Sequence, residues 1–224
     1  MNPAVQQAIA GRRSIRGYTG EAVPDAVIRD ILAAASRAPS ATNTQPWHVH
    51  VVAGAARDRL CAAITAACDA GPEPEAEYTY YPADWTSPYI DRRRQVGWAL
   101  YSLLGIQKGD RAGAKAWRRE NYNLFGAPVG LFFTLDRGLA LGSWLDLGMF
   151  MQNVMIAARG CGLETCPEAA FKSYHAIIRE HLGIPPEQLV VCGMALGHPD
   201  HAAPANQLQA PREPVEGFAR FHHA

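Results

Sequence analysis

The chain predicts an α+β fold in which one sheet is covered by helices. Strand segments are few, about four among six or seven helical ones, and they lie far apart in sequence. No Gly-rich turn follows the first of them, where a regular doubly wound fold would carry one. The chain has 224 residues, 48% of them apolar and 19% charged. That length and balance suit one domain with a sizeable core. They exclude a disordered chain, which could not offset its ordering entropy. The expected organisation is a single domain over 1–224 with an excursion at about 71–125.

Val5 and Ile9 mark a short first helix ending near Gly11. Val23-Pro24-Asp25 opens a second. Its apolar positions Val27, Ile28, Ile31, Leu32 and Ala35 keep the spacing of one buried face, and Pro39 stops it. His48-Val49-His50-Val51-Val52 reads as a strand, and Leu60, Ile64, Ala67 and Cys68 as a third amphipathic helix. Residues 71–88 hold four of the sixteen prolines, three tyrosines and Trp85. That stretch is too long and aromatic for a simple connector and predicts a functional loop or lid. Tyr89 to Leu104 returns to helix, followed by a polar helix over Ala112 to Leu124. Pro128 to Leu135 is a continuous apolar run, the pattern of a buried strand. Ser143 to Arg159 is apolar on nearly every side and predicts a central helix buried on several faces. Gly160-Cys161-Gly162 closes it. Glu187 to Leu196 gives the last core strand. From Gly197 onward, four prolines and few periodic apolar positions predict an extended tail.

Charge narrows the function classes. Lys plus Arg and Asp plus Glu both number 21, so the formal net charge is zero. No broad nucleic-acid or anionic-membrane surface is indicated. No run of 18 apolar residues occurs, so no spanning helix is expected. Near the start, arginines follow a short weakly apolar stretch, the reverse of a secretory signal. Cys61, Cys68, Cys161, Cys166 and Cys192 form no Cys-x-x-Cys pair and read as reduced thiols of a cytoplasmic protein. P-loop, GxGxxG, HExxH and GxSxG motifs are all missing. His198-Pro199-Asp200-His201 reads as a turn, and no metal is expected. With no nucleophile–base pair in view, a bound cofactor is left to carry any hard chemistry.

Two segments carry signal. Arg12-Arg13-Ser14-Ile15-Arg16 packs three guanidinium groups and a hydroxyl into five residues. In extended backbone Arg12, Ser14 and Arg16 project to one side, and arginine forks match phosphate oxygens two at a time. Ala38-Pro39-Ser40-Ala41-Thr42-Asn43-Thr44-Gln45-Pro46-Trp47 places small hydroxyl and amide side chains between a helix and a strand. Such a loop can bring backbone N–H groups close to a planar ligand. Taken singly, each segment is also an ordinary polar surface.

In this order, and with Gly162-Leu163-Glu164-Thr165-Cys166-Pro167-Glu168 and Arg212-Glu213-Pro214 further on, they resemble the FMN-dependent nitroreductase family. The resemblance runs from about Val5 to Pro214. It implies a central, mainly antiparallel sheet flanked by helices, in a homodimer with an FMN site at the interface. The C-terminal tail would embrace the partner subunit. Arg12, Arg13, Ser14 and Arg16 would grip the phosphate, ribityl and pyrimidine end of FMN. Pro39, Ser40, Ala41 and Asn43 would line the flavin from the other chain. Pro167, Glu168, Ala169 and Ala170 would run along the flavin edge, and Arg212 would return to the phosphate. Many members carry a lysine where this chain has Ala210. Asp146 and Gln152 fall in the same region.

The implied activity is ping-pong reduction of nitroaromatics by NAD(P)H, with hydride passing through flavin N5 and no side chain acting as catalytic acid or base. NADH and NADPH are both left open. Tyr80-Tyr81-Pro82-Ala83-Asp84-Trp85, with Arg92, Arg93 and Arg94 after it, is similar to the nitrobenzoate reductase branch. Tyr81 and Trp85 could stack on an aromatic acceptor, and one of the three arginines could pair a substrate carboxylate such as that of 4-nitrobenzoate. A solvated helix face with an aromatic anchor is the plainer alternative. Dehalogenation or flavin cleavage on the same scaffold, and a non-catalytic FMN-binding module, stand as competing functions. Trp117, Tyr122, Phe125 and Cys166 are read mainly as packing residues.

Overall fold

The computed structural model describes residues 2–223. The chain opens with helix α1 (Pro3–Gly11), where the Asn2 side chain accepts from the Ala4 N–H at 2.9 Å and Pro3 occupies the first turn. Helix α2 (Asp25–Ala35) buries Ile28, Ile31 and Ala35, the face its spacing predicts. Strand β1 (His48–Ala53) runs into α3 (Gly54–Ala70), which buries Leu60, Cys61 and Ile64. After an irregular stretch come α4 (Tyr89–Leu103), α5 (Arg111–Arg119) and a 3-10 turn over Glu120–Gly126. Strand β2 (Val129–Asp136) leads to the long helix α6 (Leu141–Gly160). Strand β3 (Glu164–Glu168), a 3-10 turn over Ala169–Tyr174, α7 (His175–Leu182) and β4 (Gln188–Gly197) complete the body. The tail holds a 3-10 turn at Pro204–Gln207 and one helical turn, α8 (Val215–Phe218).

The four strands form one antiparallel sheet in the order β1-β2-β4-β3. Its two central strands are buried on both faces. Phe132, Val190 and Ala195 turn to a cluster built on α3 and α7, with Leu60, Ile64, Phe171 and Ile178. Leu131, Phe133, Met194 and Leu196 turn to α2 and α6, with Ile31, Phe150 and Val154. Full burial of such a side chain is worth about 1.5–3 kcal/mol. Gly193 is required by close approach, since a Cβ there would stand 2.4 Å from the Phe171 ring.

Three local departures from the sequence reading have physical causes. The fourth strand, β3, is short and polar and contains Pro167, so no alternation marks it. Proline is tolerated there because β3 is an edge strand. The helix expected over Ala112 to Leu124 stops at Arg119, because Leu124 and Phe125 take left-handed φ values of 53° and 52°. That conformation turns both side chains into the core, where Tyr122 joins them. Helix α6 is not buried on several faces. Its Asp146, Leu147, Phe150, Val154 and Ala158 are buried, while Leu141, Leu145 and Met149 are 81%, 73% and 39% exposed.

The excursion is fastened to this body at its base. Glu77 binds Arg137 and Arg179 and lies 3.4 Å from His175. The Ser173 hydroxyl donates to Glu73 at 2.6 Å. The pairing of β2 with β4 slips between Phe133 and Thr134, so Val191 is passed over, and the Tyr78 hydroxyl donates to its carbonyl.

Candidate active site

The first arginine segment lies along the outer edge of the sheet. Ser14 bridges Thr165 in parallel, and the Ile15 N–H donates to the Thr165 carbonyl at 3.1 Å. Ile15 is buried and anchors the run, leaving the arginines at the rim. A buried residue that the sequence did not single out, Asn206, holds this segment to the tail. Its Oδ1 accepts from the Arg16 N–H at 2.6 Å, and its carbonyl accepts from the Arg13 guanidinium at 3.0 Å. Its Nδ2 donates to the carbonyls of Gly17 and Asp200, both at 2.8 Å.

A second residue missed from sequence, Arg159 at the end of α6, pairs with Glu164 of β3. Burial holds the Glu164 carboxyl above its ordinary range, with Arg159 pulling the other way. Arg12 stands beside this pair, and burial lowers its pKa, followed by repulsion from Arg212. The charge of Arg212 thus reaches Arg12, and Glu164 partly offsets it. Among the described residues Arg12 has no carboxylate within 4.0 Å, and Arg212 bonds only to carbonyls of its own segment, Ala210 and Pro211. Guanidinium groups without an ion-pair partner fit a dianionic phosphate.

The end of β3 carries the expected flavin-edge residues Pro167, Glu168, Ala169 and Ala170. Glu168 is only 3% exposed, and neither carboxyl oxygen has a side-chain partner among the described residues. Burial raises its pKa well above the glutamate range, which Arg16 and the backbone of Ala195 oppose without reversing. Cys166 beside it is 1% exposed, and burial pushes its thiol up to about 12. It is packed rather than reactive.

The second expected segment, Pro39, Ser40, Ala41 and Asn43, leads into β1, the edge strand on the far side of the sheet from β3. Thr42, Asn43 and Gln45 adopt left-handed φ of 48°, 60° and 48°. Such strain costs about 1–3 kcal/mol per non-glycine residue and persists where contacts over-determine it. Here the Ser40 hydroxyl accepts from the Gln45 N–H at 2.9 Å, and Asp146 of α6 accepts from the Ala41 N–H at 3.3 Å.

The excursion gathers the aromatic residues. A run of rings goes from Trp144 to Tyr78, Tyr80, Tyr81 and Trp85, with centroids 4.9, 6.3, 4.7 and 5.7 Å apart. Arg93 sits over Trp85 at 4.9 Å and over Tyr81 at 5.4 Å. Arg92 pairs with Glu213 of the tail at 2.6 Å. Arg94 is exposed. Trp117, Tyr122 and Phe125 pack into the core instead. No cluster of three metal-ligating side chains occurs among the described residues, and no described helix is long and apolar enough to cross a membrane.

The nitroreductase family model matches residues 9–198. The chloronitrobenzene nitroreductase of Comamonas testosteroni is 37% identical over 223 residues, 99% of this chain and 98% of that protein. The 4-nitrobenzoate reductase of Pseudomonas putida is 38% identical over 214 residues, 95% of this chain and 93% of that protein. The solved structure of the FMN and NADPH-dependent nitroreductase NfnB from sphigopyxis sp. strain HMH superposes with a TM-score of 0.95 at 38% identity, over 98% of this chain and 99% of that one. A chain matched from residue 9 to 198, and aligned nearly end to end with three such enzymes, belongs to the nitroreductase family.

Proposed function

We propose that this chain is an FMN-dependent, NADPH-consuming reductase of small nitroaromatics, acting as a cytoplasmic homodimer. The observation that carries the reading is that Arg12 and Arg212, whose charges act on one another, have no ion-pair partner among the described residues. Arg12, Arg13 and Arg212 would hold the FMN phosphate, with Ser14 beside them. Arg16 would stand at the pyrimidine end, where a cation stabilises negative charge. Pro167 to Ala170 would offer backbone along the flavin edge, and Pro39, Ser40, Ala41 and Asn43 of the partner chain would close the other side. Bound there, FMN would supply reversible hydride transfer between NADPH and a nitroarene.

The protein's own contribution is binding, charge and exclusion of water. Burial of Glu168 favours its neutral form, which would limit negative charge beside an electron-rich ring. The excursion, fixed at Glu73, Glu77 and Tyr78, would roof the substrate slot. Both α1 and α6, which touch each other, leave apolar side chains in the open, Val5 and Ile9 on the first and Leu141, Leu145 and Met149 on the second. That pair of faces supports the dimer, and the tail would lie against the partner subunit. All five cysteines are free thiols, which suits a reducing compartment.

The test is FMN and riboflavin binding to the wild type and to Arg12→Ala and Arg212→Ala, with anaerobic reduction by NADPH. Each substitution should weaken FMN at least about tenfold and leave riboflavin within a few-fold, since a charge-assisted contact is worth about 1.5–3 kcal/mol. NADPH should bleach the loaded protein, and a nitroarene should restore its colour. A protein that refuses FMN sinks the reading. Bound flavin that NADPH cannot reduce would instead favour a binding module.

A further inference from the structure

We infer that Arg93 is the residue that reads a carboxylate on the aromatic substrate, by presenting the free N–H groups of a guanidinium that rests against the Tyr81 and Trp85 rings. The inference rests on the proposed nitroreductase activity and names the substrate class that its site prefers, nitroaromatic carboxylates. Three arginines in succession have the right charge, and the structure separates them. Arg92 is spent on Glu213, with an N–H···O contact of 2.6 Å. Arg94 has neither an aromatic nor an acidic neighbour among the described residues that would fix its side chain, so ordering it on a ligand would cost rotamer entropy.

Arg93 differs from both. Its guanidinium carbon lies 4.9 Å from the Trp85 centroid and 5.4 Å from that of Tyr81. Cation–π contact with both rings restrains the guanidinium, and its N–H groups make no hydrogen bond or ion pair among the described residues, so they are open to a bidentate acceptor. No carboxylate among the described residues takes those groups. Asp84 lies between the two rings in sequence, yet it makes no ion pair with Arg93 within 4.0 Å. Tyr81 remains 49% exposed and offers a ring on which an electron-poor nitroarene can stack.

The cluster is also connected to the rest of the site. Its ring run begins at Trp144 on α6, two residues before Asp146, which holds the Ala41 N–H of the second predicted flavin segment. Between those points the excursion is fixed at Tyr78, so Tyr81 and Trp85 extend from an anchored base. Recognition is therefore built from a held aromatic pair and one oriented cation.

The experiment compares wild type with Arg93→Gln, Arg93→Lys and Arg94→Gln in two assays. The first is the kcat/KM preference for 4-nitrobenzoate over nitrobenzene. The second is equilibrium binding of benzoate to the FMN-loaded protein, followed by tryptophan fluorescence. Arg93→Gln should lower the preference and the benzoate affinity roughly tenfold or more, the worth of a bidentate charge-assisted pair. Arg93→Lys should fall between, because it keeps the charge and loses the fork. An Arg93→Gln protein with wild-type preference and wild-type benzoate affinity overturns the inference. So does a larger loss in Arg94→Gln than in Arg93→Gln. Should the wild type turn over no nitroarene at all, the activity reading fails separately, and the benzoate titration still decides the role of Arg93.

Discussion

Glu168 is a buried carboxyl with no side-chain partner for either oxygen. Taking an ionised carboxylate out of water costs far more than protonating it, so burial favours the neutral form. Its folded pKa lies well above the ordinary glutamate value. The folded protein therefore keeps a proton that the unfolded chain releases. Stability from this group is intact below the unfolded pKa of about 4.3 and drains away as pH rises toward the folded value. Glu168→Gln removes that drain. Calorimetry of the flavin-free protein should show a higher Tm than wild type at about pH 8 and little change near pH 4. An equal drop at both values would mean that the carboxyl is charged and paired. Sequence alone identified Glu168 only as part of a flavin-edge motif, because burial without a partner is a tertiary property. Asn206 and Arg159 were invisible for the same reason. An asparagine in a Pro-rich tail and an arginine at a helix end resemble surface residues until their partners arrive.

Elements were easier to read than their edges. The long periodic segments that became α2, α3, α4 and α6 were evident from spacing, as were β1, β2 and β4 from apolar runs. The strand that carries the flavin-edge residues was not, since Glu164-Thr165-Cys166-Pro167-Glu168 has no apolar rhythm. Neither was the left-handed pair Leu124 and Phe125, because bulky apolar residues rarely take that conformation. In both cases packing overrides local preference. The excursion shows how an irregular element is fixed. The Tyr78 hydroxyl satisfies the carbonyl of Val191, which the strand ladder passes over. Tyr78→Phe leaves that acceptor unpaired at a cost of about 1–2 kcal/mol. The expected drop in Tm is about 2–8 °C. Hydrogen exchange across residues 71–88 should speed up while the sheet stays protected. Unaltered exchange there would show that Tyr78 does not anchor the excursion.

At the scale of the molecule, the proposed site needs two chains. The arginine segment lies along β3, the strained loop that begins at Ser40 leads into β1 at the other edge of the sheet, and the apolar row on α6 is open. In the proposed homodimer a second chain would answer both deficits. Leu145→Glu places a charge in the middle of that row at a position 73% exposed in the single chain. The protomer should still fold, because the substitution faces outward. Light scattering should report a monomer, and FMN should be lost with the dimer. A stable dimer in that variant would remove α6 from the interface. The two-chain site entered the sequence reading only through family resemblance, since no spacing within one chain encodes where a partner's loop falls.

Asn206 ties Arg13, Arg16 and Gly17 to the tail through one buried side chain and its backbone. A ribosome delivers Arg13 and Arg16 well before their fastener, with every strand of the sheet made in between. During synthesis the arginine segment can meet β3 through Ser14 and Ile15, but its clasp to Asn206 closes only after the sheet is complete.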